Sequence, residues 1–317
     1  MPPTDEPDEP TPTFVTVGNA LIDHTYLVSN VPSPDGGAFV LDRTERLGGV
    51  ETNVAILADA LGVDAGVVSR LGDDADADSV ERRLAATAVD HRRLRRAPGE
   101  TTSYCLVLAT EAGERIIIGG GESTLGLVLD DEDLAYLRDA AVTFASAYAP
   151  ASIVETLAAL DTPFAFDLAG RFEDLEHRGL TRATLDGIVG GIDLFVANVG
   201  AARSYLRREG PPREVAAELR ARGVDRGAIT SGADGALLFD TDGVYPIDAA
   251  DPGDNVVDTT GAGDAFTAGL VRAWLLDDRD SAAAGRYAAA AAALNCTTPG
   301  AHTDPPTPAA VAALLDR

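Results

Sequence analysis

From residue 142 to residue 240 short apolar runs alternate with helical stretches. The runs are VTFASAY, FAFDLAG, LFVAN, GAITSG and ALLFD; among them lie ASIVETLAAL, ARSYLRR and PREVAAELRARG. Strands that alternate with helices pair in parallel, because the crossover helix returns the chain to the same end of the sheet. Their near-continuous apolar character means burial on both faces. The pattern predicts an α/β fold of three layers, α/β/α, around a mostly parallel central sheet. The first half is less regular. FVTVGNALID reads as a strand running into a turn, ETNVAILADALG as a helix stopped by Gly62, AGVVSRLG as a buried strand and DADSVERRLAATAV as a helix. Two extended pairs, over 25–47 around PSPDGG and over 102–119 around EAGE, break the alternation and predict a small β lid. Spacing predicts two further long helices over 262–276 and 281–294. One domain is expected over 14–317, preceded by an acidic, proline-rich tail over 1–13 that is expected to be disordered.

Composition narrows the partners. Asp and Glu number 51 against 25 cations, a net charge of −26, and every one of those cations is arginine. Such a polyanion repels nucleic acid and anionic membranes, so neither is an expected partner. The acidic residues are spread along the whole chain. That favours hydrated carboxylates suited to a salty cytoplasm, such as that of a salt-loving archaeon, over a local acidic face for a cationic ligand. No apolar run approaches the roughly 18 residues of a membrane span. The N-terminus has neither a basic start nor an apolar stretch, so no secretory leader is read and a cytoplasmic location is expected. Cys105 and Cys296 form no C-x-x-C and predict two reduced, buried thiols. The histidines lack metal-ligand spacing. A lysine-containing phosphate loop cannot exist here, and no G-x-G-x-x-G follows a strand, which disfavours a dinucleotide oxidoreductase.

The strongest chemical signal is NVVDTTGAGDAFTAGL. Thr259 to Gly263 is a small-residue turn opening onto an amphipathic helix. The first N–H groups of a helix lack internal partners and carry the positive end of its dipole, so Gly261, Ala262 and Gly263 form a nest for an anion. Asp264 sits inside that nest. A carboxylate among phosphate-binding amides would repel the anion, so a base for an incoming hydroxyl is its sensible role. Taken alone, the segment also reads as a turn followed by an Asp that the helix dipole favours.

The whole string DTTGAGDAFTAGL resembles the C-terminal signature of the PfkB/ribokinase family of carbohydrate kinases, and GGVETNVAILADALG over 48–62 resembles its N-terminal signature. The two occur in the family's order, and the resemblance spans the chain from Phe14 to Ala301. It implies a ribokinase-like fold and an ATP-dependent transfer of a phosphoryl group to a hydroxyl of a sugar or sugar derivative. By similarity Asp264 is the general base, and the amides of Gly261, Ala262, Gly263 and Asp264 are the anion hole. Gly48, Gly49 and Asn53 would hold the acceptor, and Asp23, at the end of the first strand, would grip two of its hydroxyls. The lid would close over the acceptor; in several relatives it also builds a homodimer.

ITSGADGALLF resembles the family's nucleotide turn, with Thr230, Gly232 and Gly235 matching. Asn198 matches the Asn of the family's N-x-x-E, whose Glu organises Mg²⁺; here Ala201 stands in place of that Glu, which puts the usual magnesium arrangement in question. Asp167 and Arg171 resemble auxiliary residues of some relatives and read equally as loop residues. Asp258 and Thr260 match two ligands of the family's K⁺ site, with the rest expected from 295–300. The family leaves the acceptor open. A nucleoside kinase would use lid residues such as Tyr26, Phe39 and Tyr104. A sugar phosphate would need cations such as Arg43, Arg46, Arg70 or Arg115. A non-catalytic sugar- or nucleotide-binding relative is the more distant reading.

Overall fold

The computed structural model describes residues 10–175, 179–253 and 255–317. The strands are β1 (Phe14–Val17), β2 (Leu21–Val28), β3 (Val40–Gly48), β4 (Ala65–Leu71), β5 (Asp90–Arg96), β6 (Tyr104–Ala109), β7 (Arg115–Gly120), β8 (Val142–Ser146), β9 (Phe164–Asp167), β10 (Leu194–Asn198), β11 (Gly227–Thr230), β12 (Ala236–Phe239) and β13 (Val244–Ile247). Nine of them form one sheet in the order β13-β12-β11-β10-β9-β8-β1-β4-β5. It is parallel from β11 to β5 and ends in the antiparallel edge β12 and β13. Pro246 in β13 is tolerated because an edge strand has a side that needs no donor.

The sheet is apolar on both faces, as its sequence pattern implied. Phe14, Phe144, Ala165 and Val196 face one core with the helices Val50–Ala60, Ala262–Leu270 and Ser281–Asn295. Val15, Val17, Ala145, Phe166 and Phe195 face the other, covered by Asp131–Asp139, Ala151–Ala158, Val199–Leu206 and Pro212–Ala221. The expected long helix over 262–276 is an α-helix to Leu270 continued by a π turn, Val271–Leu276, in which the Asp277 amide donates to the Arg272 carbonyl at 2.8 Å.

The remaining strands form the lid, a four-stranded sheet in the order β3-β2-β6-β7, with β2 and β6 parallel and the outer pairs antiparallel. It begins at Leu21, earlier than the expected residue 25. The chain breaks at Gly18–Ala20 instead of continuing β1, so Asp23 belongs to a lid strand and not to the end of the first strand. The lid rests on the helix Ala75–Leu84: His24 Nε2 lies 2.8 Å from Asp76 Oδ2, and Arg83 Nη2 donates to the Glu45 carbonyl at 3.2 Å.

The expected tail falls mostly on residues 1–9, which lie outside the described residues. Its last part is packed: Pro12 is buried, and the Thr13 carbonyl accepts from the amides of Ala141 (2.9 Å) and Val142 (3.2 Å). The folded domain therefore starts before residue 14. Strand β5, DHRRLRR, was not legible as a strand. Its arginines are neutralised in place, Arg93 and Arg95 by Asp130 and Asp133 at the start of the helix Asp131–Asp139. Among the described residues no helix is long and apolar enough to cross a membrane.

Candidate active site

The two sequence motifs meet at the C-terminal edge of the central sheet. The N-terminal one enters through Gly48, the last residue of β3. A Cβ at Gly48 would stand 2.3 Å from Asp23 Oδ2, so glycine here makes room for that carboxylate. Gly49 caps the helix Val50–Ala60 and lies against the Asn19 carbonyl. Asp23 sits in register between Arg46 of β3 and Cys105 of β6. Burial pushes its carboxyl up, against a hydrogen bond from Cys105 and the charges of His24 and Arg46.

Three consecutive residues then build the helix start. Glu51 is fully buried; its Oε2 accepts from the Asn19 amide (2.9 Å), and its Oε1 from the amide (2.8 Å) and hydroxyl (2.6 Å) of Ser146. Thr52 Oγ1 donates to the Asn19 carbonyl at 2.9 Å. Asn53 Nδ2 donates to Asp264 Oδ2 at 2.8 Å, while its own Oδ1 is buried with no partner among the described residues.

Asp264 lies in the first turn of the helix Ala262–Leu270, which begins at Gly261 with φ 77°. A Cβ on Gly261 would lie 2.6 Å from Ala301 Cα, so the left-handed turn and its neighbour both require glycine. The Ala262 amide donates to the Thr259 carbonyl at 3.2 Å and closes the turn, and Ala262 lines the adjacent cavity. The amides of Gly263 and Asp264 remain at the positive end of the helix, and space over Gly263 is open, with nothing within 4 Å of its missing Cβ.

Burial pushes the Asp264 carboxyl up to about 7, against the Asn53 hydrogen bond and helped by the charges of Asp167, Glu51 and Asp23. Asp167, at the end of β9, is buried and pushed up to about 6. It accepts from Thr267 Oγ1 (3.1 Å) and the Ala169 amide (2.7 Å). Arg171 points to solvent near Glu173.

Beside the helix start lies a cavity of about 500 Å³ lined by Thr230, Gly232, Gly235, Thr259, Ala262 and Gly263, with Val256, Phe266, Ala289, Ala293 and Cys296 forming an apolar wall. Glycines and a helix start at one end and a small-residue apolar wall at the other suit a nucleotide, phosphates at the first and base at the second. A hollow of about 710 Å³ between Arg70, Glu100 and Tyr104 contains none of these residues.

The family's sequence model, described as pfkB family carbohydrate kinase, matches residues 12–308. The chain belongs to the pfkB family of carbohydrate kinases. An ATP-dependent ribose-1-phosphate kinase of Halopiger xanaduensis is 29% identical over 308 residues, covering 96% of this chain and 98% of that one. Fructosamine kinase FrlD of Bacillus subtilis is 30% identical over 261 residues, 80% of this chain and 85% of its own. Among solved structures, Arabidopsis thaliana ribokinase complexed with ribose and ATP superposes with a TM-score of 0.84 at 24% identity, covering 97% and 99%. The ribokinase-like α/β fold with its lid is thereby shown.

Within this pfkB kinase, Asp23, Gly48, Gly49, Asn53, Gly261, Gly263 and Asp264 come together, and Thr230, Gly232 and Gly235 line the adjacent cavity. Asn198 does not line it: exposed, it caps the helix Val199–Leu206, its Oδ1 accepting from the Ala201 amide at 2.8 Å. Asp258 and Thr260 share one loop. Asp258 Oδ1 accepts from the Thr260 amide (2.9 Å) and hydroxyl (2.7 Å), and Oδ2 from the Gly300 amide (2.8 Å). Burial pushes the Asp258 carboxyl up, but these donors and Arg46 outweigh it and leave it below the usual range.

Glu51 and Ser146 were missed by sequence reasoning. The available signal was a lone acidic residue in an otherwise small and apolar helix start. Neither cysteine is in a disulfide, and both are half-buried rather than sealed in a core, Cys105 against Asp23 and Cys296 in the cavity wall.

Proposed function

We propose that this kinase transfers the γ-phosphoryl group of ATP to a hydroxyl of a sugar or sugar derivative, with Asp264 as general base. The observation that carries the assignment is the Asn53–Asp264 hydrogen bond, which joins the acceptor motif to a helix start opening on the 500 Å³ cavity. ATP lies in that cavity with its terminal phosphate toward Gly263. The acceptor lies between Asp23 and Asn53, whose free Oδ1 accepts a hydroxyl proton. Asp264 takes the proton of the attacking hydroxyl; the new bond forms from that oxygen to the γ-phosphorus as the bond to the ADP oxygen breaks. Little covalent help is needed, since alignment and charge stabilisation dominate such transfers. Relatives named ribokinase, ribose-1-phosphate kinase and fructokinase support a sugar-like acceptor.

A nucleoside acceptor has less support. Strand alternation puts Tyr26 and Tyr104 on the lid face opposite Asp23, where Arg43 and His24 pack on them, and Phe39 is 82% exposed.

Mg²⁺ is read as a companion of the ATP phosphates, contributing charge neutralisation, with Ala201 in place of a carboxylate and Asn198 engaged in capping. K⁺ is assigned to the Asp258–Thr260 loop, where the buried Asn295 Oδ1 has no partner among the described residues and suits a cation with oxygen ligands. The apolar lid residues Val40, Leu41 and Ile117 support a dimer through the lid. The dispersed acidic charge supports a cytoplasmic protein of a salt-rich cell.

The test is ADP release from Mg-ATP in concentrated KCl across pentoses, hexoses, keto-deoxy acids, sugar phosphates and nucleosides. One acceptor should stand out, and Asp264→Asn should lower its kcat by about 100- to 10,000-fold with ATP binding intact. The base works only when deprotonated, so kcat/KM should rise with pH through about 7. Turnover that survives Asp264→Asn refutes the mechanism.

A further inference from the structure

Four arginines near the acceptor region differ in what they touch. Arg43 pairs with Glu45 and lies 5.5 Å from the Tyr26 ring centroid. Arg70 is bidentate on Glu100, at 2.6 and 2.5 Å, and also donates to the Ser123 carbonyl at 2.9 Å. Arg115 lies in the exposed strand β7, aligned with Ala109, whereas Gly119 is the residue aligned with Cys105 beside Asp23. That offset along the strand is about 13 Å.

Arg46 is unlike the other three. It stands directly opposite Asp23 in the β2–β3 register, and neighbours in register project to the same face of a sheet. Its guanidinium reaches the far side of the site: a Cβ on Gly300 would lie 3.0 Å from Arg46 Nη1. The Gly300 amide holds Asp258, and the next residue, Ala301, is the one packed against Gly261. The guanidinium thus spans from the carboxylate that grips the acceptor to the turn that opens the anion-binding helix. Among the described residues Arg46 has no ion pair and no hydrogen-bond partner. It is exposed, so its planar fork of donors remains available.

A neutral sugar does not call for this cation. Its hydroxyls are served by Asp23, Asn53 and Asp264, which accept and donate without a fixed positive charge. A guanidinium facing a cleft lined by carboxylates is suited to a ligand oxyanion. A phosphate, with three terminal oxygens, can meet the planar fork bidentately and keep a further oxygen for other donors, which a carboxylate cannot.

We propose that Arg46 recognises an anionic group on the acceptor, so that the preferred acceptor of this enzyme is a phosphorylated sugar. The proposal rests on the kinase reading above and names its substrate class.

The experiment compares matched pairs, each free pentose or hexose against its monophosphates, with the corresponding sugar acids as a carboxylate arm, in the full-length enzyme with Mg-ATP. Arg46→Ala and Arg46→Lys run beside the wild type. The expected result is a kcat/KM for a phosphorylated member at least about 10-fold above that of its neutral partner. Arg46→Ala should raise KM for that sugar phosphate by about 10- to 100-fold, with KM for Mg-ATP moving less than about 2-fold. Arg46→Lys should recover part of the loss, because charge without the fork is a weaker anchor. A preference for the neutral partner overturns the proposal and leaves the kinase reading standing. So does a KM effect of Arg46→Ala confined to Mg-ATP, which would assign the residue to the nucleotide phosphates. A preference for the sugar acids keeps the anion role and overturns the phosphate assignment. Silence of every acceptor, charged or neutral, overturns the kinase reading itself.

Discussion

In the central sheet, β1 and β8 bury every residue; in the lid, β3 exposes everything from Val40 to Arg46 and β7 everything from Arg115 to Gly119. The two sheets share one active site but divide its labour. Asp264, Asn53 and Asp167 are fixed to helices and strands packed on the central sheet, whereas Asp23 and Arg46 ride on the lid. Phosphoryl transfer needs its base and anion-binding amides held still, and a closed core of rings such as Phe14 on Phe144, 6.3 Å apart, does that. An acceptor must enter and leave, and a sheet with little apolar burial on its outer side opens at low cost. On the proposed reading, the residues assigned to the acceptor sit on the less buried sheet, and those assigned to the chemistry on the more buried one.

The comparison can be broken most directly in the core. Phe144→Ala removes a fully buried ring and should lower unfolding free energy by about 3–5 kcal/mol in denaturant titrations; a loss below about 1 kcal/mol would mean the central sheet is not the rigid partner. The next effect concerns the cost of holding Asp264 ready. Its folded value, about 7, lies above that of an unfolded aspartate, so the folded state holds the proton more tightly. The associated stability is present at low pH and is lost as pH rises toward about 7. Asp264→Asn removes the dependence while still accepting from Asn53. It should be more stable than wild type at pH 8 by on the order of 1–3 kcal/mol, discounted for the residue's partial exposure, with the gap closing toward pH 5.

Gly48→Ala tests the join between the two sheets. Its methyl would displace the Asp23 carboxylate, lowering kcat/KM for the acceptor by up to about 100-fold with KM for Mg-ATP little changed; equal effects on both substrates would place the damage elsewhere. The smallest effect belongs to the lid surface. Ile117→Ser, at a 57% exposed position, should change stability by no more than about 0.5 kcal/mol, and amides of β7 should exchange faster than those of β8. Slow exchange in β7 would show the lid to be covered, as in a dimer.

The helix-sheet-helix layering, both motifs and the existence of a lid were legible because each is local. Apolar runs report burial, and G-A-G-D reports a helix start with a base in it. Less legible were features where a distant partner overrides local composition. DHRRLRR becomes strand β5 only because Asp130 and Asp133 meet its arginines, and Glu51 is buried only because Asn19 and Ser146 supply three donors. The Ala262 amide, read as part of the anion hole, also donates to Thr259 within the turn.

By itself, then, the sequence determined the layers, the family and the residue types of the site, since periodicity and turn chemistry act over a few neighbours. The tertiary structure alone decided that Asn53 would meet Asp264 across 211 residues, that Asp23 would ride on the lid, and that Arg46 would stand beside it with no ion pair or hydrogen bond among the described residues. Those facts depend on strand register and on the packing of one helix against another, and neither is written in any single stretch of chain.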